Sequence, residues 1–92
     1  MSKKLIDKKI FKLSAGKCHI CEENDYSLLD VHRIRNGSDG GEYTIGNCVC
    51  LCCRCHRLNH SGKIRIIGIF KSTAGNLLHY FDQEGKEIFK EI

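Results

Sequence analysis

The chain of 92 residues has no proline and no glycine- or serine-rich run that could serve as a linker. Without such breaks there is nowhere to place a domain boundary, and residues 1–92 are expected to form a single domain. No internal repeat or low-complexity stretch is present. The lysines of "MSKKLIDKKIF" are not followed by a long apolar run, so neither a signal peptide nor a membrane span is expected. A cytosolic, reducing location is therefore expected. Charge of neither sign dominates: 15 Lys and Arg against 11 Asp and Glu leave +4. So mild an excess favours phosphate-bearing partners but is common in soluble proteins and decides nothing alone.

Cysteine is abundant, with seven in the chain. A domain this short buries a modest fraction of its surface and needs a staple. The odd count and the clustering favour thiolate ligation of a metal over disulfides. Cys18 and Cys21 form one C-x-x-C pair and Cys52 and Cys55 another, a spacing that lets two thiolates from one tight turn reach the same ion. The pairs lie 52 − 21 = 31 positions apart, so the chain between them must itself be structured. A structural Zn2+ bound there would substitute for missing core, since its binding free energy, roughly 10 kcal/mol or more, is folding free energy in such modules. Cys48, Cys50 and Cys53 remain. Cys48, Cys50 and Cys52 would share one strand face. All three leftover cysteines are read as small buried hydrophobes, with a ligand set that includes Cys50 or Cys53 left open.

Apolar spacing predicts a short helix over Lys4–Leu13, ended by Gly16. "SLLDVHRI" alternates as a half-buried strand does, and "NCVCLC" reads as a second strand. Between them, "RNGSDGGEYT" is a bent loop whose Gly37, Gly40 and Gly41 supply positive-φ positions. A helix follows from the second cysteine turn, closed by Ser61 and Gly62. Beyond it, three apolar runs separated by "AGN" and "QEG" predict an antiparallel meander. The expected class is α+β, with finger core 18–60 and C-terminal strands 63–92.

His32, Asn47, His56 and His60 form a second constellation. His56 directly follows Cys55, so the turn holding the structural ion also launches His56. His60, four residues on, shares its helical face. Facing His32 on the strand, they make a plausible second metal site with open positions. His79, in the C-terminal run, is read as an ordinary solvated or capping side chain.

"CHIC", "LDVHRI", "SDGG", "YTIGN", "LCCRCH" and "RLNH", in that order, resemble the HNH endonucleases of the ββα-metal superfamily, with a style most similar to small phage-encoded members. The resemblance implies a zinc-stapled ββα-metal finger, here with a short N-terminal helix and a C-terminal meander. It implies a metal-dependent endonuclease hydrolysing DNA phosphodiesters, with Mg2+ or another divalent ion in the site. Asn47 matches the asparagine that ties down the loop. His56, at 47 + 9, matches the histidine that ligates the catalytic ion. The family's base is a histidine just before the isoleucine that ends the first strand, with a metal ligand before it. Here Arg33 holds the position of the base, and His32 that of the ligand.

Three readings follow. A one-residue shift makes His32 the base while Arg33 grips a phosphate oxygen or stabilises the transition state. Alternatively, His32 and His56 hold a divalent ion that activates the water, with help from His60. In the third, the module binds nucleic acid or protein and cuts nothing, since arginine stays protonated and accepts no proton. Arg33, Arg35, Arg54, Arg57, Lys63 and Arg65 lie on or beside the expected cleft and suit a polyanion. No helix carries a base-reading set of side chains, so little sequence specificity is expected. The exposed edge of the C-terminal strands offers a place for a protein partner or a second copy.

Overall fold

The computed structural model describes residues 5–35, 37–73 and 75–92. The expected helix start at Lys4 and Ala74 of the "AGN" turn lie outside them.

The first helix begins later than apolar spacing suggests. Asp7 accepts the backbone N–H of Ile10 at 3.0 Å and caps α1, Lys8–Ala15. Leu5 and Ile6, expected in the helix, run extended instead: Leu5 bridges Thr44, and Ile6 N–H donates to the Tyr43 carbonyl at 2.8 Å. Gly16 does end the helix, in the left-handed conformation at φ 71°, with its N–H returning to the Lys12 carbonyl. Phe11 and Ala15 pack α1 against the core, and Lys12 Nζ donates to the Leu29 carbonyl at 3.2 Å.

A two-stranded antiparallel sheet follows, β1 at Leu29–Arg33 and β2 at Cys48–Cys52, with Leu29 opposite Cys52 and His32 opposite Val49. β1 is shorter than "SLLDVHRI" because Asp25 caps a 3-10 turn over Tyr26–Leu28. Every residue of β2 is buried, since α1 packs on the sheet from one side and α2, Cys53–His60, from the other. In the loop between the strands, Gly40 has positive φ, whereas a Cβ added at Gly37 would sit 2.8 Å from Arg33 Nη1, the far end of a flexible side chain that can move aside.

The C-terminal strands form the expected meander, β3 at Arg65–Ser72, β4 at Gly75–Phe81 and β5 at Glu87–Glu91, all antiparallel in the order β3-β4-β5. Ile64, Leu78 and Tyr80 enter one buried cluster with Cys18, Leu29, Val49 and Leu51. Lys90 Nζ reaches from β5 to the Ile20 carbonyl at 2.8 Å and to Glu22 at 3.2 Å. The fold is α+β, with two helices and five strands among the described residues. None of the helices among them is long and apolar enough to cross a membrane.

Candidate metal centres and nucleic-acid site

Two clusters of metal-ligating side chains stand at opposite ends of one short stretch, from the end of β2 through α2. In the first, the ligand atoms of Cys18, Cys21, Cys52 and Cys55 all lie within 4.8 Å of one another. Thiolates about 2.3 Å from a tetrahedral ion sit just under 4 Å apart, and Cys21 Sγ lies 3.5 Å from Cys52 Sγ. Each pair is closed by its own turn: Cys21 N–H points to Cys18 Sγ at 3.5 Å, and Cys55 N–H to Cys52 Sγ at 3.4 Å. These contacts make Cys52 the cap of α2 as well as a ligand candidate. Burial raises the Cys18 thiol, but backbone N–H donors outweigh it and leave the group below its ordinary value. Burial drives Cys55 upward, and so does the charge of Cys18. The donor set fits a metal ion.

Cys48 and Cys50 are buried as expected, and burial pushes the Cys50 thiol up to about 11. Cys50 lies outside the tetrad. Its backbone instead exchanges hydrogen bonds with His19: Cys50 N–H donates to His19 Nδ1 at 3.1 Å, and His19 N–H to the Cys50 carbonyl at 2.8 Å. Cys53 corrects the sequence reading. It is exposed, because the first residue of α2 points away from the sheet while Cys55 points in.

In the second cluster, β1 presents His32 toward α2, and the i, i+4 pair His56 and His60 points back. Their ligand atoms also lie within 4.8 Å of one another. Nε2 of His60 stands 3.0 Å from Nε2 of His56. Two nitrogens at right angles about an ion, each about 2.1 Å from it, are separated by this distance. His32 is 8% exposed, and burial, then the charges of His56, His60 and Arg33, lower it to about 4. It is a neutral imidazole at physiological pH, the form that ligates a metal. The side-chain amide of Asn59 meets His32 Nε2 at 3.0 Å and fixes the ring.

The other residues singled out from the sequence divide. Asn47 Oδ1 accepts from Arg35 N–H at 2.8 Å, while its Nδ2 donates to the carbonyls of Arg35 and Glu42 at 3.1 and 2.8 Å. It clasps both arms of the loop and does not join the histidines. Arg33 follows His32 along a strand and so faces the other side of the sheet. There its guanidinium carbon lies 4.5 Å from the centre of the Tyr43 ring, which Lys8 Nζ also approaches, at 3.9 Å. Arg35 is exposed beside the loop, whereas Arg54 and Arg57 share the outer side of α2 with Cys53 and Leu58.

Asp30 and Asn59 escaped the sequence reading. Asp30 Oδ2 lies 3.3 Å from His56 Nδ1. Strand alternation carried the signal for Asp30, two residues before His32 and therefore on its face. Asn59 stands one helical turn from His56.

The model of the HNH endonuclease family matches residues 18–62, the stretch that contains both clusters. These residues belong to the HNH endonuclease family. No curated protein and no solved structure matches the chain. HNH domains commonly bind nucleic acid, so this one points to nuclease or other nucleic-acid-related work. α1 and the whole meander lie outside the HNH match.

Proposed function

We propose that this HNH domain is a metal-dependent endonuclease that hydrolyses DNA phosphodiester bonds with little sequence specificity. The observation that carries the reading is the convergence of His32, His56 and His60 at the junction of β1 and α2. These three side chains would hold a divalent ion, their imidazole donors suiting Zn2+ or Ni2+ better than the harder Mg2+, and the four cysteines would hold a structural Zn2+. An ion so held supplies positive charge for the leaving oxygen in an in-line attack by water.

The chain's own residues do the rest. Asp30 takes the Nδ1 proton of His56 in a hydrogen bond, which leaves Nε2 free to ligate. Asn59 orients His32, and Asn47 holds the loop that carries Arg35. Arg33 and Arg35 bind backbone phosphates, with Arg54 and Arg57 extending the basic surface along α2; such contacts give affinity without reading sequence. With Arg33 at the position of the family's base, the proton of the attacking water goes to solvent, and turnover is slow. Seven free cysteines support a reducing compartment, and the reading places the protein in the cytosol of a phage-infected host.

Arg33 favours a second reading, a zinc module that binds nucleic acid or a protein partner without cutting. Incubating plasmid with the protein and Mg2+, Mn2+ or Ni2+, beside an EDTA control and the His32→Ala and His56→Ala variants, separates the two. Nicking that needs metal and disappears in both variants is expected. If no metal supports nicking, or both variants still nick, the nuclease reading is lost.

A further inference from the structure

The face of the meander turned away from the buried cluster carries large apolar side chains that are exposed among the described residues. Phe70 is 48% exposed and Phe89 54%. Phe70, His79, Phe81 and Phe89 form one connected patch: His79 stacks on Phe89 at 4.2 Å between ring centres, with Phe70 at 5.6 Å and Phe81 at 5.7 Å from it. His79, read from the sequence as bland, sits at the centre of this patch and binds Glu87 at 2.7 Å.

The strand register makes the face a three-by-three grid. One end row is Arg65, Phe81 and Glu87, and the middle row is Gly68, His79 and Phe89. Phe70, Leu77 and Glu91 form the other end row. A two-fold axis parallel to β4 lays β3 of one copy over β5 of the other while the rows stay aligned. Arg65 then faces Glu87 of the other copy, twice over by symmetry. Phe89 faces Gly68, where even an added Cβ would meet nothing within 4 Å. In the rows of Phe81 and His79, large side chain thus meets gap and cation meets anion, while in the third row Phe70 lies against Glu91 of the other copy. The strands remain aligned within the roughly 30° that packed sheets adopt.

We infer that this face is the contact between two copies of the chain. Nucleic acid fits it less well, because Glu87 and Glu91 outnumber Arg65 on the grid. Three strands about 4.8 Å apart and about seven residues long give a small interface. An interface of that size falls among weak, transient contacts. The inference is independent of the nuclease reading, since it uses no residue of either metal cluster.

Sedimentation velocity on the full zinc-loaded chain from about 5 to 500 µM tests it. A shift from monomer to dimer across that range is expected. Gly68→Leu, which a single copy accommodates, should weaken the dimer at least tenfold, and so should Phe89→Ser. Arg65→Glu and Glu87→Arg should each remain monomeric alone and form a mixed dimer when combined, because all charges are then opposed again. Circular dichroism and melting temperature of each variant separate lost association from lost folding. A chain that stays monomeric at 500 µM overturns the inference, as does a dimer unaffected by Gly68→Leu and Phe89→Ser. So does a monomer whose binding to oligothymidylate depends on Phe89, because the face would then be a surface for stacked bases.

Discussion

The carboxylate of Asp30 lies 3.3 Å from Nδ1 of His56, joining the middle of β1 to the first turn of α2. The contact fixes which nitrogen of His56 faces His60. A carboxylate behind a ligating imidazole typically contributes 10- to 100-fold in metal affinity. Asp30→Asn keeps the shape and removes the charge. It should weaken Ni2+ or Mn2+ binding by about tenfold or more in a calorimetric titration while the zinc content stays at one per chain. Unchanged affinity would remove Asp30 from the site.

Cys52 ties the two centres together, capping α2 while standing in the tetrad. Cys52→Ser should therefore lose the zinc and the fold together. Elemental analysis below one zinc per chain with loss of the helical signal is the expected result. A variant that folds normally without zinc would refute the structural role of the tetrad.

Arg33 stacks on Tyr43 and cannot accept a proton. General-base catalysis contributes about 10²–10⁴-fold where it operates. Because residue 33 faces the side of the strand away from the histidines, Arg33→His supplies no base to them and should leave the single-turnover nicking rate unchanged with a divalent ion present. A fall in rate would instead assign Arg33 itself to the chemistry.

Asn47 makes three side-chain hydrogen bonds that close the loop from Arg35 to Glu42. Asn47→Ala leaves Arg35 N–H and two carbonyls without these partners. It should cost about 2 kcal/mol in denaturant unfolding. A cost below about 0.5 kcal/mol would mean that the loop holds without its clasp.

Leu78 of β4 is fully buried in the cluster shared with Cys18, Leu29 and Val49. We propose that finger and meander fold as one domain, in which case Leu78→Ala should cost about 3 kcal/mol in a single cooperative transition. Two separated transitions, with only one of them shifted, would show that the meander folds alone.

Local chemistry made much of this protein legible in its sequence. Thiolates separated by two residues must come from one turn, alternation and turn residues mark the strands, and Gly16 ends α1. The four cysteines that cluster are the four that spacing selects. His56 and His60 share a face by helical period alone. What the tertiary structure decided was direction and company. Leu5 has the apolarity of a helix residue, yet the cap at Asp7 and the bridge to Thr44 leave it extended. Cys53 looks like its buried neighbours, but one residue of rotation at the helix start turns it outward. His32 and Arg33 are adjacent in the chain and lie on opposite sides of a strand. One is buried among imidazoles and the other spread on Tyr43, because a strand alternates its side chains and only a packed helix and a folded loop give each side something to meet.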